Sequence, residues 1–311
     1  MRGKTIRSLA VAALGLGGLA ALAGTAEAAR AGALAAPKIT GVVRVPAESA
    51  DPESDKKTAV ATCPAGKRVI SGGGWVSAEQ SGDVAKLALI ELRPFYSSQV
   101  GSSGYHASAV ETSVVPSAKW KVHAYAVCAD ISSLKGWDLR LDYTDTTDRP
   151  KHSKEVGCAD PAKQRVVGTG AVAVTARGQE DKVTLQIARP SANGDIARAQ
   201  SQKVDPAYTG LHRLDVYAIC VDKPQGYEVK VAPSPQKDSE SIKVASANCS
   251  SGRRPLGAGG GISNVAPPHI SLKRIIPSNP DEGYAQVIAG EHTPTNANWD
   301  FITAYAICAA K

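Results

Sequence analysis

The tetrapeptide Tyr125-Ala126-Val127-Cys128 returns as Tyr217-Ala218-Ile219-Cys220 and again as Tyr305-Ala306-Ile307-Cys308. Each copy closes a segment that opened about 60 residues earlier at Cys63, Cys158 or Cys249, and self-similarity at a fixed period of this kind constrains the fold more than any shorter motif. Strand-like openings lie upstream of each first cysteine, at Gly41-Val42-Val43, Gly136-Trp137-Asp138 and Gly226-Tyr227-Glu228. From the glycine to the cysteine the distances are 22, 22 and 23 residues. The chain therefore reads as three tandem copies, residues 38–130, 131–222 and 223–311.

Within each copy a polar, proline-containing stretch (Pro46 to Lys57, Thr144 to Lys154, Pro233 to Ser241) separates the opening from the cysteine strand and reads as a surface loop. Glycine runs follow the first cysteine: Gly72-Gly73-Gly74, Gly168-Thr169-Gly170 and Gly257-Ala258-Gly259-Gly260-Gly261. Gly168-Thr169-Gly170-Ala171-Val172-Ala173 mimics a dinucleotide-binding loop. That fingerprint needs a following helix to hold the pyrophosphate, whereas Val172 and Val174 continue as a strand, so the glycines read as a bulge or as a close approach of backbones. Next come runs ending in proline (Leu87 to Pro94, Val183 to Pro190, Ile270 to Pro277), where pairing should stop. In the closing strand the period of two puts Cys128, Ala126, Ala124 and Val122 on one face and Val127, Tyr125 and His123 on the other. A central strand covered on both sides is the expectation. About six short strands per copy and no amphipathic helix give an all-β fold of three disulfide-stapled, β-sandwich-like repeats. Nearly equal periods let these repeats pack with pseudo-threefold symmetry.

Six cysteines allow fifteen pairings, and the repetition leaves two sensible ones. Either each copy closes on itself (Cys63 with Cys128, Cys158 with Cys220, Cys249 with Cys308), or bonds run across the linkers. Self-closure is favoured, because a loop of about 60 residues is worth on the order of 4 kcal/mol in the chain-entropy model. Disulfides imply an oxidising compartment, and the amino terminus agrees. Arg2, Lys4 and Arg7, an apolar run from Leu9 to Gly24 and Ala26-Glu27-Ala28 read as a cleaved signal peptide over residues 1–28, with 29–37 as a flexible lead-in. The expected location is secreted, extracellular or cell-wall associated, with no membrane insertion.

Lys and Arg number 36 against 29 acidic residues, for a net charge of +7. No block of like charges occurs, which argues against nucleic acid and leaves weak attraction to anionic envelope polymers. No serine elbow, H-E-x-x-H or C-x-x-C is present, the six histidines are scattered, and Asp51-x-Glu53-x-Asp55 lacks the glycine and terminal glutamate of a calcium loop. Accordingly no catalytic residue, metal or cofactor is expected. Basic residues do recur after each first cysteine: Lys67 and Arg68, Lys163 and Arg165, Arg253 and Arg254. They are either solvated turns or a triplicated anion-binding edge. Trp75, Trp120, Trp137 and Trp299 offer a second kind of platform, for sugars, although Trp120 and Trp299 sit at similar offsets before the final cysteine and read as core.

The run Cys63-Pro64-Ala65-Gly66-Lys67-Arg68-Val69-Ile70-Ser71-Gly72-Gly73-Gly74, followed by Tyr125-Ala126-Val127-Cys128-Ala129, resembles a module common in exported proteins of high-GC Gram-positive bacteria. The second copy lacks its Pro-x-Gly turn and triple glycine, and the third lacks its proline. The resemblance implies an extracellular structural or adhesive role without catalytic residues, and three copies able to form a trimer within one chain. The expected function is an exported, non-catalytic protein that binds an anionic or glycan polymer of the envelope or matrix. A secreted enzyme or enzyme inhibitor is the alternative.

Overall fold

In a computed structural model of the chain, residues 35–50, 55–112, 119–235, 238–263, 268–292 and 298–311 are described. The signal peptide, Asp51 and Glu53 lie outside them. The first copy supplies β1 (Val43–Glu48), β2 (Lys56–Thr62), β3 (Lys67–Ala78), β4 (Leu87–Ser97), β5 (Ser102–Glu111) and β6 (Trp120–Asp130). The second supplies β7 (Asp138–Tyr143), β8 (Lys151–Gly157), β9 (Gln164–Thr175), β10 (Val183–Pro190), β11 (Ile196–Lys203) and β12 (His212–Asp222). The third supplies β13 (Glu228–Pro233), β14 (Ile242–Asn248), β15 (Arg253–Ile262), β16 (Ile270–Pro277), β17 (Tyr284–Glu291) and β18 (Ile302–Ala310).

These strands form three six-stranded sheets, and no sheet belongs to one repeat. Their orders are β1-β6-β3-β16-β17-β14, β13-β18-β15-β10-β11-β8 and β2-β5-β4-β9-β12-β7, called here the first, second and third sheet. Each repeat is split into two three-stranded halves. The half built from its first, third and sixth strands pairs edge to edge with the other half of a neighbouring repeat, in cyclic order. All strand pairs are antiparallel, and the join between halves is short: Arg274 opposite Trp75 and Ile275 opposite Gly74 in the first sheet, for example. The repeats are therefore not beads on a string, and the topology is that of a trimer closed within one chain.

The disulfides follow the self-closing pattern: Cys63–Cys128, Cys158–Cys220 and Cys249–Cys308, with Cα separations of 5.8, 5.7 and 5.8 Å. Because the first cysteine of each pair follows one half and the second lies in the other, every bond that is internal to a repeat links two different sheets. The three bonds together tie all three sheets into a ring.

Glycines decide how closely the halves approach. A Cβ on Gly168 would overlap Ile70 O and lie 2.8 Å from Ser71 Cα, and one on Gly257 would overlap Val167 O and Ser71 Oγ. Strands β3, β9 and β15 thus cross one another at Ser71, Gly168 and Gly257, where three backbones share room for one small side chain. The register slips by one residue in each of these strands just before the crossing, leaving Ile70, Val167 and Leu256 as bulges. All three are fully buried, and each such side chain contributes about 1.5–3 kcal/mol. The glycine run is therefore the close-approach device its spacing suggested. Tyr105, also buried, spans the same junction and donates from its hydroxyl to Thr169 O at 2.7 Å.

A second set of bulges in β4, β10 and β16 leaves Ile90, Gln186 and Lys273 out of register. Here each repeat reaches the next with a different chemistry. Gln186 donates to Ile270 O at 2.7 Å. Lys273, 1% exposed, donates to Ala85 O at 2.7 Å, to Ser271 Oγ at 3.0 Å and to Leu87 O. Burial pushes its ammonium down to about 7.

Two expectations need correction. β4 does not stop at Pro94 but continues to Ser97, because beyond Leu92 it pairs only with β5 and the missing donor faces no partner strand. The closing strand is central, between β1 and β3, but its second face is covered only in part. Val122, Ala124 and Ala126 are fully buried on one face; on the other Val127 is buried while His123 and Tyr125 are half-buried.

Candidate functional site

The pairing of β3, β9 and β15 with the closing strands puts Lys67 opposite Asp130, Gln164 opposite Asp222 and Arg253 opposite Ala310. The three basic pairs of the sequence are therefore not one equivalent set. Arg68, Arg165 and Arg254 correspond, but Lys163 is one residue out and its place is taken by Gln164. That glutamine does the same job as Lys67: Lys67 Nζ donates to Gly41 O at 2.6 Å and Gln164 Nε2 to Gly136 O at 2.7 Å. Gly41, Gly136 and Gly226, with φ of 61°, 64° and 67°, make the turn that starts each repeat. Counted from the first cysteine, Gln164 stands two residues later than Lys67 and Arg253 do, so an alignment on the cysteines hides it; counted back from Ser71, Gly168 and Gly257, all three stand four residues before the crossing.

Local partners take up much of the basic charge. Lys67 pairs with Asp130 at 2.7 Å, Lys163 with Asp160 at 3.3 Å and Arg253 with Glu228. The Lys67 ammonium and the Thr40 hydroxyl hold the Asp130 carboxyl below its ordinary range. The other three arginines bond to carbonyls or rings. Arg165 donates to Pro161 O and Gln164 O at 2.7 and 2.6 Å, and Arg254 to Ile39 O at 2.5 Å. Arg68 lies 4.6 Å from the Tyr96 ring and 4.7 Å from Trp137. Trp137 in turn donates to Val69 O at 2.9 Å, as Tyr227 does to Val166 O at 2.8 Å. The basic turns form the seam where one repeat hands the chain to the next. Since each arginine precedes the crossing at Ser71, Gly168 and Gly257 by three residues, or about 10 Å of strand, the three turns gather around that crossing.

Trp120 and Trp299 are core, at 3% and 2% exposed. Each lies under a lysine that also donates to its carbonyl: Lys57 over Trp120 at 4.6 Å and Lys243 over Trp299 at 4.7 Å. In the second repeat the same two positions are His152 and His212, packed edge to face at 4.3 Å. Burial, with the nearby His152 and Lys203, pushes His212 down to about 4.

On the outer faces the residues stand in rows across each sheet. The first sheet carries Ile288, Arg274, Trp75, His123 and Glu48 in adjacent register. Trp75 is covered on both sides, stacked on His123 at 4.1 Å and lying under Arg274 at 4.6 Å, so it offers no free ring face to a sugar. Its Nε1 donates to Tyr125 Oη at 3.1 Å, and Arg44 covers Tyr125 at 4.5 Å. His123 also meets Ser77, with Nε2 to Oγ at 2.8 Å, while its Nδ1 lies 3.9 Å from a Glu48 oxygen. This serine–histidine–glutamate contact is absent from any motif and could only be found in three dimensions. It sits on a central strand whose backbone N–H groups are spent in the ladder, and Glu48 is engaged by Lys121 at 2.9 Å. Burial lowers His123 from the ordinary imidazole range, with Lys121 and Arg274 acting in the same direction and Glu48 against it.

No protein-family model matches the chain, and no curated protein is significantly similar to it. Among the described residues no cluster of three metal-ligating side chains occurs, and no helix is long and apolar enough to cross a membrane.

Proposed function

We propose that this is an exported, non-catalytic protein that binds an anionic or glycan polymer of a cell envelope or extracellular matrix. The observation that carries the reading is the cyclic sharing of sheets, which turns three repeats into one body with three outward faces and no flexible hinge between them. A rigid body with several related faces suits simultaneous contact with a long repetitive polymer, where weak contacts add. The three disulfides fit an oxidising location. Co-sedimentation of the full chain with purified envelope fractions at low and at high salt tests it. The expected result is retention that weakens through the physiological salt range, where the screening length is about 8 Å. Absence of retention at low salt would overturn the reading.

A second reading, a secreted hydrolase, is favoured by the Ser77–His123–Glu48 contact alone. Labelling with a fluorophosphonate separates the two: the binding reading expects no modification, and adduct formation at Ser77 that His123→Ala abolishes would support the enzyme.

A further inference from the structure

The three outer faces are built on one plan, and that makes their differences informative. In the row through Trp75 of the first sheet, the equivalent strand position is Val172 in the third sheet and Gly261 in the second. In the second sheet the row reads Ser153, Gln200, Ile187, Gly261 and Thr303. Beside it runs Glu155, Arg198 and Arg189, with Gly259 between Arg189 and Tyr305. Where the first sheet carries an indole wedged between His123 and Arg274, the second carries only a buried glycine, Gly261, beside the Ile187 side chain. Two clefts lie there, of about 590 and 250 Å³, and they share Ile187 and Arg189. Together they cross five neighbouring strands, β8, β11, β10, β15 and β18, a width of about 19 Å at the usual strand spacing.

We propose that this trough on the second sheet is the polymer-binding site, and that its occupant is an extended anionic polysaccharide. The assignment rests on the proposed polymer-binding function and locates it. Charge points to an anion: the trough is lined by Lys151, Lys154, Arg189 and Arg198 against the single carboxylate of Glu155. Glu155 pairs with Arg198 and Asp142 with Lys154. Arg189 instead lies over the Tyr305 ring at 4.8 Å, with its other contact a long one to Pro190 O at 3.4 Å. Its guanidinium sits at the centre of the trough, where both clefts meet. The neutral groups point to a sugar. Thr303 and Ser153 supply hydroxyls along the floor, Ser153 donating to the buried Gln200 amide oxygen at 3.3 Å, and half-buried Phe301 supplies an apolar edge at one end. A polymer laid across the strands would meet cations, hydrogen-bonding groups and an aromatic in succession.

The test is calorimetric titration of the full chain at low salt with tetragalacturonate, with its methyl ester, and with a glycerol-phosphate tetramer. The first and third distinguish a carboxylate polymer from a phosphate polymer. Tight binding of tetragalacturonate, with the methyl ester at least about tenfold weaker, is expected. Gly261→Trp, which places in the second sheet what Trp75 places in the first, should weaken that binding at least about tenfold. Arg189→Glu should do the same without filling the space, and serves if the tryptophan variant does not fold. Arg68→Glu, on the seam, should leave it within about twofold. No binding of tetragalacturonate, binding of the sugar-free glycerol-phosphate tetramer that is equal or tighter, equal binding by a folded Arg189→Glu variant, or a larger loss from Arg68→Glu would overturn the assignment, as would equal affinity for a single-stranded oligonucleotide of the same charge. If the Arg189→Glu chain is still retained by envelope material as wild type is, the trough is wrong while polymer binding stands. Failure of the wild type to be retained at all removes the functional reading, whatever the oligosaccharides do.

Discussion

The same three strands, β3, β9 and β15, carry both the most restricted and the freest positions of the molecule. At their mutual crossing stand Ser71, Gly168 and Gly257, and four residues further on stand Trp75, Val172 and Gly261, on the outside. At the crossing each backbone is the wall of the other two, so a side chain added to one repeat must displace another. On the outer row the neighbours are side chains rather than backbone, as Ile187 is for Gly261, so the repeats have diverged from indole to nothing. Repetition therefore preserves what the copies share, and function has room only where they do not touch.

The largest expected effect breaks the restricted side of this comparison. Gly168→Val should cost more than about 3 kcal/mol, since its side chain would meet the backbone at Ile70 and Ser71. Gly261→Ala, four residues after the equivalent crossing glycine, should stay within about 1 kcal/mol, because its nearest neighbour is the Ile187 side chain, at 3.0 Å from the new Cβ. Chemical denaturation of both variants measures the difference, and equal costs would show that the crossing is not where the repeats are locked.

Lys273 tests the second junction. Its ammonium is pushed down to about 7 when folded, by burial. Between that pH and the ordinary lysine value the unfolded chain binds more protons than the folded one, so stability should rise as the pH rises from 7 towards 10. The slope should amount to a few kcal/mol in total and should vanish in Lys273→Met. A variant with an unchanged pH profile would mean that the ammonium is not the titrating group.

The ends of the three repeats differ in the same spirit, with lysine over tryptophan in the first and third and His152 against His212 in the second. Because His212 is held down to about 4, the stability that its neutral form supports is complete above the ordinary histidine value and lost as the pH falls from about 6.5 towards 4. The loss should be about 1–2 kcal/mol. Replacing both residues, as His152→Lys with His212→Trp, should flatten the acid limb in thermal unfolding at pH 4 to 7. The smallest effect belongs to Ser71, whose buried hydroxyl finds no hydrogen-bond partner among the described residues. Ser71→Ala should be neutral or stabilising, by up to about 1 kcal/mol, and a clear destabilisation would indicate that the hydroxyl is bonded.

The all-β class and the pairing of Cys63 with Cys128 and its two counterparts were legible in the sequence alone, because each depends on period and on residue type. Alternation read the inner face of β6 correctly through Val122, Ala124 and Ala126. Which half of a repeat pairs with which neighbour was not legible, because an exposed strand edge carries the same backbone donors and acceptors whether it pairs within its own repeat or with the next. The exchange of Lys163 for Gln164 follows from the longer turn after Cys158, and the meeting of Ser77 with His123 follows from register, which a bulge at Ile70 shifts by one residue without leaving a mark in composition. The open trough at Gly261 is the clearest case. A glycine in a glycine-rich run announces close packing, and at Gly168 and Gly257 that packing is against backbone; only the tertiary structure shows that Gly261 lies instead beside the Ile187 side chain, in the lining of a cleft that Arg189 shares.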